Sequence, residues 1–318
     1  MIKPDRLKHF LWSEKYRPQT LEECCLPKRI IEPIASYIEK KEIPNLFFYG
    51  SAGTSKTTLA KVISYELEAE TLFIDASSDS GKQMIQNQVV PFASTISIDN
   101  KDAPKIVILD ESDGLSTQAQ QSLRPTIEAY SRQTRFIFTA NFPQKIIDPI
   151  KSRCLCMDFN ITKEEVQEVM ASFFKRIKKI LKEEGVEDVD RKSLGYTINN
   201  LFPDYRRIIN TLQSYVTSNG AVNEGILTFA SGKSIAEEIY PLIIGKKFDE
   251  TRKIVLESSF TPEEMYDALF KYLPDYINDK GKQANMVLIL AKYAHMSSMV
   301  ANQSLNSVAC VTEMMCSL

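Results

Sequence analysis

No apolar run in the 318-residue sequence approaches the roughly 18 residues needed to cross a bilayer, and residues 1–10 carry several charged or His side chains without an apolar stretch. Neither a membrane span nor a secretory leader is expected, and the cytoplasm is the expected compartment. C-x-x-C pairs are also lacking. The six cysteines stand at positions 24, 25, 154, 156, 310 and 316 without histidines nearby, so they are expected to be reduced thiols rather than zinc ligands. A charge excess of either sign is missing too: 39 Lys and Arg against 41 Asp and Glu leave a net charge of -2. That balance excludes a basic field over the whole molecule, so any nucleic-acid contact has to come from a local surface. There is no internal repeat and no low-complexity tract.

What is present is a chain with 43% hydrophobic residues, long enough for two or three domains. Short β-type runs at 45–49, 72–76, 105–109, 135–139 and 155–159 alternate with helical or polar segments, the pattern of a parallel sheet with crossover helices. Ile106-Val107-Ile108-Leu109 has no polar face, as in a strand buried on both sides. After Phe159 helical spacing takes over, at 162–183, at 204–216 and from 234 onward. The expected architecture is an α/β nucleotide-binding domain over residues 1–160, a small helical lid over 161–232 and a helical C-terminal domain over 233–318.

Gly50-Ser-Ala-Gly53-Thr54-Ser55-Lys56-Thr57-Thr58 follows an apolar strand and opens a helical run. Such a loop wraps phosphates with backbone N–H groups, aims a helix N-terminus at them, and supplies a lysine charge and a hydroxyl for Mg²⁺, here Lys56 and Thr57. A Gly/Ser-rich turn before a surface helix has the same composition. The usual glycine before the lysine is replaced by Ser55, which should cost about 1–3 kcal/mol if a glycine-only conformation is needed there, or else shift the loop. The buried run at 105–109 ends in Asp110-Glu111-Ser112-Asp113, two carboxylates at a strand's C-terminal edge. Asp110 is the candidate Mg²⁺ ligand and Glu111 the candidate base for an attacking water; a solvated acidic turn is the alternative. Thr139-Ala140-Asn141 ends a further strand, and Asn141 could position that water or sense a γ-phosphate.

These motifs, with Trp12-Ser-Glu14-Lys15-Tyr16-Arg17-Pro18 ahead of them and Ser152-Arg153-Cys154 behind, resemble the clamp-loader ATPases of the AAA+ class. The stretch Phe202-Pro203-Asp204-Tyr205-Arg206-Arg207 looks most like the large subunit of T-even-type bacteriophage loaders. The resemblance covers roughly residues 12–230. It implies an AAA+ fold with sensor-2 lid and helical collar, and ATP with Mg²⁺ as cofactors, with Trp12, Tyr16, Arg17 and Pro18 around the adenine and Gly50 to Thr58 on the phosphates. It implies Arg153 as an arginine finger acting on a neighbouring subunit, Arg206 as the sensor-2 arginine, Lys82 and Arg124 on the DNA-facing helices, and Gln120 as a DNA-side residue that links its helix to the carboxylate strand. The implied partners are a sliding clamp, primer-template DNA, further copies of the chain and a distinct subunit in a five-membered assembly, in a host bacterium's cytoplasm if the chain is of phage origin. An AAA+ helicase loader, a branch-migration motor and a non-hydrolysing assembly subunit are the alternatives. The Trp12-to-Pro18 opening and the Ser152-Arg153-Cys154 motif argue against the first two, and retention of Lys56, Thr57, Asp110, Glu111, Asn141, Arg153 and Arg206 against the third.

Overall fold

The computed structural model describes residues 9–78, 80–95, 104–231, 233–257, 260–297 and 299–318. Five strands form one sheet: β1 (Leu46–Tyr49), β2 (Glu70–Asp75), β3 (Lys105–Asp110), β4 (Thr134–Ala140) and β5 (Leu155–Asp158). Their order is β2-β3-β4-β1-β5 and every pairing is parallel. All five fall on the runs read from the sequence. β3, without a polar face in sequence, is fully buried from Ile106 to Leu109, because helices cover both sides of a parallel sheet.

Helices α1 (Trp12–Lys15) and α2 (Lys28–Glu39) precede β1, and α3 (Lys56–Glu66) follows it. After β2 come α4 (Lys82–Met84), a π-helical turn at Ile85–Val89 and α5 (Val90–Ser94). After β3 comes α6 (Thr117–Ala129), capped by Ser116, whose hydroxyl accepts the Ala119 N–H at 3.2 Å, and α7 (Asp148–Lys151) precedes β5. One core, with Ile30, Ile34, Leu59, Ile63, Ile106, Ile108 and Phe159, packs one sheet face; a second, with Met84, Ile85, Val107, Leu109, Leu123 and Phe138, packs the other. Because side chains alternate along β3, its even and odd residues feed different cores.

The chain then becomes helical: α8 (Val166–Glu183), α9 (Arg191–Leu201), α10 (Tyr205–Asn219), α11 (Gly225–Ser231), α12 (Lys233–Ile244), α13 (Phe248–Glu257), α14 (Pro262–Tyr276), α15 (Lys280–Ser297) and α16 (Gln303–Ser317). Two compact units result. One takes in the described residues up to 187 together with 201–217, so α8 and the body of α10 belong to the unit that holds the sheet; the other takes in the described residues of 188–200 and 218–318. The second unit has its own core around Ile239, Tyr240, Met265, Leu269, Met286, Val311 and Met314. Inside it Tyr240 donates its hydroxyl to the Leu269 carbonyl, and Asn306 donates to the Tyr266 hydroxyl at 2.9 Å, so the buried polar groups are paired. Helix α14 begins with a capping box, Thr261 with Glu264. The six cysteines are unpaired, and among the described residues no helix is long and apolar enough to cross a membrane.

Candidate nucleotide-binding site

The loops at the C-terminal ends of β1, β3 and β4 meet where a parallel sheet places its ligand crevice. They line a cleft of about 230 Å³ that takes in Gly53 to Thr58, Asp110, Glu111, Asn141 and Arg206, with Tyr16, Arg17 and Pro18 at its far wall. Most of the sequence candidates for nucleotide binding therefore come together.

The phosphate loop is held from behind. Ser51 donates its backbone N–H and its hydroxyl to Asn160 Oδ1 at 3.1 and 3.0 Å. Gly50 borders this contact rather than the main cleft; a Cβ on it would lie 3.1 Å from the Asn160 nitrogen. At Gly53, with φ +76°, the Asp204 carboxylate lies 2.1 Å from where a Cβ would go, so any other residue would have to displace that carboxylate and adopt a strained backbone. Asp204 in turn accepts the Arg207 N–H at 3.0 Å and so caps the start of α10.

Ser55 adopts φ +70° and ψ 18°, the left-handed conformation that the usual glycine would supply. The loop has kept its shape and the serine carries the strain. Ser55→Gly should therefore raise the unfolding free energy by about 1 kcal/mol, the left-handed penalty less the extra unfolded-state entropy of glycine. Ser55→Ala, which retains the Cβ, should give no gain. Denaturant melts of the three proteins check this, and a loss of stability in Ser55→Gly would show that the hydroxyl stabilises the loop.

Lys56 is buried, with Nζ donating to the Gly50 and Ser51 carbonyls at 2.8 and 2.7 Å. Burial lowers its pKa from the ordinary lysine value to about 8, with Arg206 adding to the drop and Asp113, Asp110 and Glu111 opposing it. Below pH 8 the native protein bears the full cost of the buried charge. Above it the native lysine sheds a proton that the unfolded chain still holds, and that cost is relieved. A phosphate ligand favours the charged form, so above pH 8 binding must take up a proton and affinity should fall by about tenfold per pH unit. Calorimetric titration with ATP at pH 7 and pH 9, in buffers of different ionisation enthalpy, reads that uptake; equal affinities without uptake would refute it.

Across the cleft, Asp110 Oδ1 accepts the hydroxyls of Thr57 and Thr139, both at 2.6 Å. A hydroxyl and a carboxylate in contact are the hard oxygen donors that Mg²⁺ takes alongside water and phosphate, so Thr57 and Asp110 fit that ion. Glu111 is exposed at the strand's end with φ +50°, its N–H donating to Thr139 Oγ1 at 3.0 Å. This non-glycine left-handed residue sits where the chemistry is expected, and such strain accumulates at functional sites. The hydroxyl of Ser112 donates to the Thr139 carbonyl, and Asp113 accepts the Phe142 N–H at 3.1 Å, fastening the carboxylate turn to the loop that carries Asn141.

Several candidates lie elsewhere. Trp12 is buried outside the cleft, its N–H donating to Gln213 Oε1 at 2.8 Å; it supports the wall that Tyr16, Arg17 and Pro18 form and does not face the cleft itself. Gln120 is buried as well. Its amide donates to the Leu115 and Lys145 carbonyls at 3.2 and 3.0 Å and accepts the Ile147 N–H at 2.9 Å. Buried and spent on backbone, it is not placed to contact DNA, which corrects that part of the expectation; it links α6 to Leu115, just after the carboxylate turn, and to the segment before α7. Lys82 and Arg124 are exposed, and the Ser116 N–H donates to the Ser80 carbonyl at 3.0 Å, which sets their two segments side by side. Arg153 is away from this cleft, donating to Glu128 and to the Pro149 carbonyl.

Residues 46–165 match the model of the ATPase family associated with various cellular activities, and residues 165–228 match a model described as the sliding-clamp-loader large subunit, AAA+ ATPase lid domain. The replication factor C small subunit of Methanococcus vannielii is 34% identical over 285 residues, covering 85% of this chain and 88% of the relative. That of Thermoplasma acidophilum is 37% identical over 254 residues, 77% of each. The chain belongs to the replication factor C small-subunit family of clamp-loader ATPases. Among solved structures, the Thermotoga maritima RuvB Holliday junction branch migration motor superposes with a TM-score of 0.52 over 80% of this chain and 85% of the other, at 15% identity, which shows the shared AAA+ fold alone.

The cleft of this clamp-loader ATPase also contains residues that local sequence reading missed. Phe173 and Arg176 from α8, and Tyr205 and Ile209 from α10, also line it. Helical spacing marks them as inward-facing, but nothing local distinguishes a cleft wall from a core.

Proposed function

We propose that this chain is the ATP-hydrolysing subunit of a loader that opens a ring-shaped sliding clamp and places it on primer-template DNA, with hydrolysis triggering release. The observation that carries the reading is the contact between Thr57 and Asp110, with Glu111 beside them and the phosphate loop opposite, in a chain whose lid matches the clamp-loader family. Bound Mg²⁺ would supply charge neutralisation at the transferring phosphoryl group. Lys56 and the loop amides hold phosphate, Thr57 and Asp110 hold the metal, and Glu111 takes the proton of the attacking water. Asn141 orients that water, and Arg206 at the start of α10 ties the lid to the γ-phosphate. Arg153 acts on the site of a neighbouring copy, so that turnover requires assembly. The proposed partners are the clamp, the DNA, and further copies of the chain with a distinct subunit in a five-membered assembly. Lys82 and Arg124 are the proposed phosphate contacts, and the domain divisions are placed near residues 160 and 232.

ATP hydrolysis by the protein with its partner subunit, with and without primer-template DNA and sliding clamp, tests this reading. Joint stimulation by both is the expected result. Stimulation by DNA that ignores the clamp would move the assignment to a motor or helicase loader, and binding without turnover to a non-hydrolysing assembly subunit.

A further inference from the structure

One wall of the cleft is formed by a strap, residues 10–25, whose two ends have different attachments. Its first half hangs on the lid helices. Gln213 of α10 accepts the Trp12 N–H and donates to the Phe10 carbonyl, both at 2.8 Å, and Glu184 at the end of α8 accepts Lys15 Nζ and the Tyr16 hydroxyl, both at 2.6 Å. Its second half is rooted in the α/β core: the Leu21 N–H donates to Glu66 of α3 at 2.8 Å, and Leu21 and Cys24 lie in the core beside Ile30 and Ile63.

One side chain spans the two halves. Arg176 of α8 donates from Nη2 to the Tyr16 carbonyl at 2.7 Å and from Nη1 to the Glu23 carbonyl at 2.8 Å, and it lines the cleft. Its side chain is only 17% exposed, so these charge-assisted bonds are little screened by water. Next to it, Tyr205 donates its hydroxyl to the Cys25 carbonyl at 2.6 Å and packs on Phe173 with ring centroids 4.6 Å apart. The fork geometry of a guanidinium allows one residue to hold two carbonyls from different turns, which a lysine's point charge cannot reproduce. The hydrogen bonds of Arg176 go to the strap, whereas those of Lys56 go to the phosphate loop and Asp110 accepts from Thr57 and Thr139.

We propose that Arg176 is the positioning residue for nucleobase recognition: it fixes the strap's spacing against the Phe173 and Tyr205 rings, so that base discrimination is set from the lid helix rather than by the phosphate loop. The inference deepens the nucleotide-binding reading and rests on it. It separates two parts of the affinity, a phosphate part that Arg176 does not touch and a base part that depends on it.

The test compares binding of ATP, GTP and inorganic tripolyphosphate to the full-length wild-type protein, Arg176→Lys and Tyr205→Phe, by calorimetry alongside thermal melts. Wild type is expected to prefer ATP to GTP. In Arg176→Lys, ATP affinity should fall by about tenfold, while GTP and tripolyphosphate stay within about twofold, so the preference collapses. Tyr205→Phe, which loses a single bond to the strap, should shift the ratio in the same direction by less, and it carries the test if Arg176→Lys does not fold. Equal weakening of all three ligands would make Arg176 a support of the fold and overturn the proposal, as would an unchanged ATP-to-GTP ratio in both variants or a wild type without base preference. A wild type that binds none of the three, tripolyphosphate included, would instead remove the nucleotide-site reading itself.

Discussion

Glu111→Gln is expected to cut ATP turnover of the assembled protein by about 10²–10⁴-fold, the range lost with a general base, while ATP affinity changes by less than about twofold. The amide keeps the side chain's size but cannot take a proton. The backbone anchor survives, since it is the Glu111 N–H that donates to Thr139 Oγ1. Nor does the substitution disturb the metal candidates, because the Thr57 and Thr139 hydroxyls converge on Asp110 and not on Glu111. Single-turnover hydrolysis together with a binding titration separates the two effects. Turnover within a factor of a few of wild type would remove Glu111 from the base role and direct attention to water held by Asn141.

Arg153→Ala is expected to leave nucleotide affinity unchanged and to lower turnover in the assembly by about 10³-fold or more, the contribution of a guanidinium delivered to a phosphoryl-transfer site. In this chain Arg153 lies against Glu128, a pair whose partners are 26% and 52% exposed, so solvent screens it and its loss should leave the melting temperature nearly unchanged. A thousandfold fall could not then be ascribed to unfolding. Mixing decides whether the arginine acts across subunits. An assembly combining Arg153→Ala subunits with Glu111→Gln subunits contains sites whose base comes from one and whose arginine comes from the other, and those sites should recover activity. No recovery beyond the sum of the two parents would place Arg153 outside the neighbouring site.

The strands and phosphate loop were legible because their signals are contiguous. An all-apolar run such as Ile106 to Leu109 admits few other uses, and Lys56-Thr57 after a glycine-bearing loop goes with Asp110 at the end of β3. Two misreadings share one cause. Gln120 and Trp12 occur in segments that the family places near DNA or adenine, but each is buried: the Gln120 amide is spent on backbone groups, and the Trp12 backbone N–H donates to Gln213. Burial of a particular side chain depends on neighbours distant in sequence, so position within a motif does not reveal it. Ser55 is the opposite case: the residue departs from the pattern, while its backbone stays in the glycine conformation because the flanking strand and helix over-determine the turn.

The sequence alone was enough to expect a parallel sheet with a candidate phosphate loop and a candidate metal-binding carboxylate at the C-terminal ends of its strands. Those features follow from local hydrophobic period and from residue types acting within a few positions of each other. Only the tertiary structure decided what closes the cleft. Arg176 and Tyr205 reach carbonyls 153 to 180 positions away in the chain, and Asp204 fills the space above Gly53. Backbone carbonyls are the same on every residue, so an acceptor of this kind leaves no mark in the sequence.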